Sequence, residues 1–493
     1  MLNDYRRDFE SFHTSLAREH YLFHSGQKNS LELETIYERY AHLVDRDAID
    51  GLSSEIDMGG HYASECTSLN RLLSFAVEHY LENSVRELTE QISQFEATAT
   101  VEFNGRELTF QESAVSVVTE RDRDSRNAIY DKRLVAIEAS NSLRRERIDI
   151  LHERAQSLGY PTYVALFETL RGLDYDQIAL ECEPLLERTE PAYIARLDDA
   201  LRQNLGLGIN EAGRPDAMYL LHLTAFDDRF PPRDMLRVYA ETMAALGIDV
   251  SAQENIVIDS EPRPRKNPRA FCMPISIPDD VRLVIRPMGG QSDYQSLLHE
   301  SGHAQHFGWS SPHLPPEFKY TGDYALTETY AFLFNHLVSD SNWLESLLGI
   351  DSTDFVRSVM LARLVTIRRY VAKLNYERQL HRADDITEEA ARYAYLQTSS
   401  TRFKTAPAEF LFDLDDGFYS ASYLRAWAFE VLLREYLKTS YGTKWWASPG
   451  AGVFLKEIWE TGDRYTADEM AAQIGIGPIE FGPLAEEFNR ALR

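Results

Sequence analysis

The segment QSLLHESGHAQHFGW, residues 295–309, places two histidines four positions apart. Residues i and i+4 of an α-helix lie one above the other on the same face, so His299 and His303 can direct two imidazole nitrogens at one ion. Glu300 lies on a neighbouring face, within reach of a water molecule bound to that ion. Gly302 has no side chain and leaves room for another element to approach closely.

This HExxH arrangement is the pattern of zinc-dependent peptide hydrolysis, in which two histidines bind the metal and the glutamate acts on its water. A five-residue pattern also arises by chance, so the motif needs support from elsewhere in the chain. Zinc in hydrolases keeps three protein ligands and an open fourth position for water. The sequence should therefore supply a third ligand.

The end of the same helix excludes two candidates for the third ligand. One elongated form of the motif has a glycine three positions and a histidine six positions after the second histidine, where this chain has His306 and Trp309. His306 shares the face of the motif, but about 10 Å of helix rise separates it from His299. We expect His306 to support the site or to contact substrate, with packing in the core as an equal alternative.

Asp323 and Glu328, in the segment YTGDYALTETYAFLFNHL, remain as candidates. Asp323 follows a glycine in an expected turn, where aspartate commonly caps a helix. Glu328 has only apolar or aromatic helical neighbours, and burying a carboxylate there is costly unless a cation meets it. Glu328 is therefore favoured, and the alternative is a glutamate that reaches solvent at the edge of the stripe. Those neighbours are Tyr324, Ala325, Ala331 and Phe332.

Most of the chain has the three- and four-residue apolar spacing of helices, as in residues 31–44, 68–95 and 355–381. Two segments instead predict strand pairs. TATVEFNGRELTF contains the two-residue hairpin turn Asn104-Gly105, and AFCMPISIPDDVRLVIRP, residues 270–287, has a Pro-Asp-Asp turn between β-branched runs. The sequence thus predicts a mainly α protein with a small sheet near the HExxH helix.

The Gly-rich stretch LGLGINEAGRPD, residues 205–216, predicts a domain boundary. We expect an N-terminal helical lobe over residues 1–205, with the small hairpin near 100–110, and a catalytic helical lobe over residues 206–493 that carries the HExxH helix. Just before the second hairpin, the basic segment EPRPRKNPR predicts a solvated loop. The alternative is that Lys266 or Arg269 in this segment holds a substrate carboxylate.

The composition excludes several classes of partner. Acidic residues outnumber basic ones, 78 to 51, and the formal charge of −27 argues against binding to nucleic acid or to an anionic membrane surface. No run of about 18 apolar residues predicts a membrane span, and the charged N-terminus does not resemble a signal peptide. Three scattered cysteines favour a reducing cytoplasm and exclude a thiolate zinc ribbon.

HESGHAQH, followed 25 residues after its second histidine by the glutamate of LTETYA, resembles the thimet oligopeptidase and oligoendopeptidase F family of zinc metallopeptidases. The resemblance extends from about residue 266 to 428. It implies an elongated, two-lobed helical body with a deep central channel that admits short unstructured peptides and holds one Zn²⁺ per chain. It also implies His299, His303 and Glu328 as zinc ligands and Glu300 as the general base.

The resemblance extends to DLDDGFYSASYLRAWAFEVL, where the family has tyrosines that donate hydrogen bonds to the oxyanion. It implies this role for Tyr423 first and Tyr419 second, with ordinary core tyrosines as the alternative. It also implies that the hairpin at 270–286 pairs with extended substrate, with plain packing as the alternative. Relatives place a histidine before these tyrosines, yet no histidine follows His381 here. A tyrosine, Arg425 or an aspartate substitutes, or the substrate contacts differ.

These observations predict a zinc-dependent oligopeptidase that acts on short peptides. The first alternative is a peptide-binding protein of the same fold that has lost hydrolysis, and the absent histidine supports it. The second is a helical scaffold in which HExxH is accidental.

Overall fold

The structure, a computed structural model, describes residues 2–59, 62–383 and 385–493. Helix accounts for 70% and strand for 5%, so the predicted mainly α class is confirmed. The α-helices are α1 (Leu2–His24), α2 (Glu34–Arg39), α3 (Arg46–Met58), α4 (Ala63–Ser84), α5 (Arg86–Thr98), α6 (Phe110–Thr119), α7 (Arg123–Ser157), α8 (Tyr163–Arg171), α9 (Tyr175–Leu205), α10 (Arg214–Leu221), α11 (Met235–Ala245), α12 (Gln291–Trp309), α13 (Glu317–Tyr320), α14 (Tyr324–Asn335), α15 (Ser341–Leu348), α16 (Thr353–Leu380), α17 (Glu389–Thr401), α18 (Tyr419–Tyr441), α19 (Pro449–Trp459), α20 (Ala467–Gln473) and α21 (Gly482–Ala491). The strands are β1 (Thr100–Phe103), β2 (Arg106–Thr109), β3 (Ile256–Asp259), β4 (Phe271–Ser276) and β5 (Asp280–Val284).

The chain divides into two compact units, each assembled from segments that are far apart in the sequence. The first unit comprises Met1–Glu78, Thr224–Val356 and Arg425–Pro483. The second unit comprises His79–Leu223, Arg357–Leu424 and Leu484–Arg493. The domain boundary at residues 205/206 stays a prediction. None of the described helices is both long enough and apolar enough to cross a membrane.

The hairpin predicted at Asn104-Gly105 is present in the second unit. β1 and β2 pair antiparallel from Thr100 opposite Thr109 to Phe103 opposite Arg106. Asn104 and Gly105 both have positive φ angles, 51° and 71°, as a tight two-residue hairpin turn requires.

The core of this unit includes a cluster that joins α7, α16 and α17 through buried residues such as Ile148, Tyr376 and Tyr393.

A three-stranded sheet in the first unit has the strand order β3-β5-β4. The predicted hairpin is confirmed, because β4 and β5 pair antiparallel on either side of the expected turn. β3 was not predicted, and it pairs parallel to β5. α1 packs on this sheet through Tyr21, Ile275 and Val284. β4 is an edge strand.

The basic segment before β4 is not solvated throughout, which corrects the prediction for Lys266. Lys266 is 2% exposed, and its Nζ donates to the carbonyl of Asp259 at 2.6 Å and to its carboxylate at 2.9 Å. Arg263 donates to the same carboxylate. Burial opposes ionisation of Asp259, but the contacts with Arg263 and Lys266 hold its pKa below the usual range. Lys266 therefore anchors the end of β3.

Two helices of the first unit, α12 and α14, pack closely together. A Cβ atom at Gly302 would lie 2.6 Å from both the Cα of Ala331 and the carbonyl oxygen of Tyr330. Such distances are far inside van der Waals contact, so only glycine allows the two backbones to approach this closely. The room predicted at Gly302 is thus occupied by α14, which is the helix that carries Glu328.

Candidate metal centre

α12 carries His299 and His303 on one face, as the four-residue spacing predicts. Their ring centroids lie 5.0 Å apart with the rings almost perpendicular. The His299 ring contacts Phe332 on α14, and the His303 ring stacks with Phe307 one turn further along α12. The side chains are 16% and 13% exposed, so both rings are largely buried and retain an open side.

Glu328 on α14 meets both histidines. Nε2 of His299 lies 3.3 Å from one carboxylate oxygen of Glu328, and Nε2 of His303 lies 3.7 Å from the other. One ligand atom from each of the three residues lies within 4.8 Å of the other two. The Glu328 side chain is 4% exposed. This group could hold a metal ion, because it offers two imidazole nitrogens and a carboxylate to one point.

The pKa values of the two histidines shift in opposite directions. Burial lowers the pKa of His299, but the hydrogen bond and charge of Glu328 outweigh burial, and the net pKa is raised. Burial dominates for His303, whose pKa falls to about 4 although Glu328 opposes the shift. A cation at this point would compensate the charge of the buried Glu328 carboxylate.

A main-chain donor of the small sheet holds Glu300. Its Oε2 accepts the backbone N–H of Cys272 on β4 at 2.9 Å. Burial raises the pKa of Glu300 to about 7, and the charges of His299 and Glu328 act on it in opposite directions. Glu300 directly follows His299 on α12, and its role as the general base stays a prediction. A carboxyl group with a pKa near neutrality suits proton transfer.

His306 lies in the core of the first unit. Its side chain is fully buried, and its ring contacts Phe307 and Tyr330. Its Nδ1 lies 3.3 Å from the hydroxyl of Thr327, and that hydroxyl also lies 2.9 Å from Nδ1 of His303. This burial favours the supporting and packing roles over contact with substrate. Thr327 was missed in the sequence analysis because its only signal is its position directly before Glu328.

Asp323, the competing candidate for the third ligand, caps α14. Its side chain accepts the backbone N–H of Ala325 at 3.0 Å and that of Ala467 at 3.0 Å. It also accepts from Arg425 at 2.9 Å, and Arg425 pairs in addition with Asp468. Burial opposes ionisation of Asp323, yet Arg425 and the two N–H groups lower its pKa. The helix-cap alternative is confirmed, and the charge of Asp323 already has its partner.

Tyr419 and Tyr423 lie in the second unit, at the start of α18. Their ring centroids are 4.9 Å apart, and the ring of Tyr423 contacts Tyr370 at 5.2 Å. Both side chains are partly exposed. Their contribution to an oxyanion site stays a prediction.

A comparison of the sequence with models of known protein families and with curated proteins found no match. The residues of the site are therefore the basis for assigning a function.

Proposed function

We propose that the protein is a zinc-dependent oligopeptidase of the thimet oligopeptidase and oligoendopeptidase F type, which hydrolyses peptide bonds in short unstructured peptides. One observation supports this proposal: ligand atoms of His299, His303 and Glu328 lie close together, with Glu300 beside them. A carboxylate buried beside two imidazoles from another helix supports the proposal, because a metal ion would compensate its charge.

The donor set fits zinc. A tetrahedral zinc ion has bonds of about 2.0–2.1 Å to nitrogen and oxygen, which puts neighbouring ligand atoms about 3.3 Å apart. Nε2 of His299 lies 3.3 Å from one oxygen of Glu328, which equals this value, and Nε2 of His303 lies 3.7 Å from the other oxygen. Two histidines and a glutamate also match a known catalytic set that leaves the fourth position for water.

The residues around the metal group supply the remaining chemistry. Bound zinc supplies Lewis acidity, which lowers the pKa of a coordinated water and polarises a peptide carbonyl. Glu300 would accept a proton from the attacking water and deliver it to the leaving amine, the role of a general acid–base group. The backbone N–H of Cys272 fixes one carboxylate oxygen of Glu300 during this exchange.

The proposal includes how a peptide binds. Among the described residues β4 pairs with β5 on one side only. On its other side the N–H of Cys272 already donates to Glu300 and Pro274 has no N–H, so an extended peptide would pair with the remaining main-chain groups of that edge. Recognition of the backbone tolerates many side chains, which suits an oligopeptidase. The two-lobed body with a central channel, and oxyanion stabilisation by Tyr423 and Tyr419, complete the proposal.

Incubation of the purified, zinc-loaded protein with a mixed pool of short peptides tests this function. We expect cleavage that stops when a chelator removes the metal and returns when zinc is restored. Mass spectrometry identifies the products, and elemental analysis measures zinc per chain. Protein that contains stoichiometric zinc but cleaves nothing would contradict the proposal.

A non-hydrolysing peptide-binding protein is the second candidate, because no histidine follows His381 to take part in substrate contact. That candidate predicts peptides that bind and are recovered intact whether or not zinc is present. The same incubation separates the two.

A further inference from the structure

One hydroxyl group lies between a histidine of the metal group and a buried histidine behind it. Oγ1 of Thr327 lies 2.9 Å from Nδ1 of His303 and 3.3 Å from Nδ1 of His306. Thr327 is 8% exposed, so water does not compete freely for these contacts. It directly precedes Glu328 on α14, so adjacent residues contact the two ring nitrogens of His303.

The direction of each hydrogen bond follows from the chemistry of the groups. If Nε2 of His303 offers its lone pair to a metal, its neutral ring carries the proton on Nδ1, which must then donate to Oγ1 of Thr327. The Thr327 hydroxyl can then donate its own proton to Nδ1 of His306. The proton of His306 is then left on its other ring nitrogen, Nε2, which is buried.

A second threonine of α14 shows that this orientation is not forced by the helix. A threonine inside a helix commonly returns its hydroxyl to a carbonyl of the preceding turn. Thr329 does so, donating to the carbonyl of Ala325 at 2.6 Å. The hydroxyl of Thr327, two residues earlier, instead lies between the two histidine rings.

We propose that Thr327 and His306 are positioning residues that fix the tautomer and ring orientation of His303 for metal binding. This inference rests on the proposed zinc site. Histidine ligands commonly donate their second ring nitrogen to a carboxylate, a carbonyl or water, and loss of that partner typically lowers metal affinity 10–100-fold. Here a neutral hydroxyl takes that place, and His306 orients the hydroxyl.

The test is the zinc affinity of Thr327 variants, measured by competition with a chromogenic chelator. Thr327→Val keeps the shape of the side chain and removes the acceptor, so we expect affinity to fall about 10–100-fold. Thr327→Ser keeps the hydroxyl and should bind within a fewfold of the wild type. Thr329→Val is the matched control, since it removes a buried hydroxyl from the same helix without touching His303, and it should not change zinc affinity.

His306 is tested by a second pair of variants. His306→Asn keeps a hydrogen-bond acceptor near the position of Nδ1, whereas His306→Phe keeps a ring and has no acceptor. We expect the phenylalanine variant to bind zinc several-fold more weakly than the asparagine variant. The visible spectrum of the cobalt-loaded protein provides a readout independent of activity, because a reoriented His303 changes the ligand field.

The outcomes separate the two proposals. If the wild type binds zinc and Thr327→Val binds it equally well, the positioning role is wrong and the zinc site stands. If Thr327→Val and Thr329→Val weaken binding alike, the effect is a general loss of packing and the positioning role is again wrong. If the wild type binds no zinc, both the site and the inference drawn from it fail.

Discussion

The backbone N–H of Cys272 donates to the carboxylate of Glu300 across 2.9 Å, and so joins an edge strand to the helix of the metal group. The bond fixes one oxygen of Glu300 and leaves the other to accept a proton. Because the donor belongs to the main chain of β4, the strand proposed to bind the peptide also positions the proposed base. Substrate and base would therefore keep a constant relative position.

Glu300→Gln should retain zinc and lose hydrolysis. The amide oxygen of glutamine can still accept the N–H of Cys272, so the local structure should persist, but an amide takes up no proton. We expect kcat to fall by about 10²–10⁴, the usual contribution of a general base. Peptide cleavage measured by mass spectrometry and zinc content measured by elemental analysis check this prediction.

The control is Glu345→Gln on α15, which makes the same chemical change at an exposed position. It should leave both activity and zinc content unchanged. Full activity in Glu300→Gln would show that another group accepts the proton.

Replacement of Glu328 by glutamine should impair metal binding, whereas replacement of Asp323 by asparagine should reduce stability. Glu328→Gln removes the anionic ligand, so we expect loss of stoichiometric zinc. Asp323→Asn removes a charge that pairs with Arg425 at 2.9 Å in a buried setting, so we expect destabilisation by about 3–5 kcal/mol with zinc retained below the unfolding temperature. Elemental analysis and thermal unfolding distinguish the two. Zinc lost from Asp323→Asn but kept by Glu328→Gln would reverse the assignment of the third ligand.

Sequence reasoning succeeded where a signal is local. The i, i+4 spacing placed His299 and His303 on one face, and Asn104-Gly105 placed a hairpin, because helix geometry and positive φ depend on a few neighbouring residues. The apolar surroundings of Glu328 also gave a usable signal, since a buried carboxylate needs a partner.

The features that the sequence did not reveal depend on packing between distant segments. β3 has only four residues and exists because β5 lies beside it. The composition of the basic segment predicted a solvated loop, yet the charge of Lys266 is buried against Asp259. Asp259 lies four positions before Arg263. Thr327 gives no periodic signal, because its role follows from the distance between α12 and α14. Gly302 sets that distance in turn. The space beside Gly302 was predicted, but the helix that occupies it, α14, was not.

Gly302→Ala should weaken both folding and metal binding. The added methyl group would meet the backbone of Ala331 and Tyr330 at 2.6 Å, and backbone atoms cannot turn aside as a side chain can. We expect a loss of about 1–3 kcal/mol in the free energy of unfolding, the usual cost of overpacking, although alanine favours helix. Zinc affinity should fall as well, because the same displacement moves Glu328 away from the histidines.

Gly51→Ala on α3 is the matched control, since the added methyl group would have no described atom within 4 Å apart from its chain neighbours and the backbone of its own helix. It should stabilise the protein by about 0.5–1 kcal/mol and leave zinc binding unchanged. Chemical denaturation and chelator competition measure the two quantities. An equal gain in stability from both substitutions would show that α12 and α14 have room to separate.

Asp463 should make the stability of the first unit depend on pH. Its side chain is buried, and burial raises its pKa to about 7, with Arg71 opposing the shift and Asp323 adding to it. An unfolded aspartate has a pKa of about 3.9, so between about pH 4 and 7 the folded state holds a proton that the unfolded state has released. The stabilisation from this group is complete below pH 4 and is lost as the pH rises to about 7, by up to about 4 kcal/mol.

Asp463→Asn should remove this pH dependence, because an amide is neutral throughout. The variant should melt close to the wild type at pH 4.5 and above it at pH 8, where the wild type must bury a carboxylate. Asp57→Asn, at an exposed position of α3, should follow the wild type at both pH values. Should the wild type and Asp463→Asn change melting temperature in parallel from pH 4.5 to 8, the folded protein must accommodate the ionised carboxylate without cost, and Arg71 would then be its effective partner.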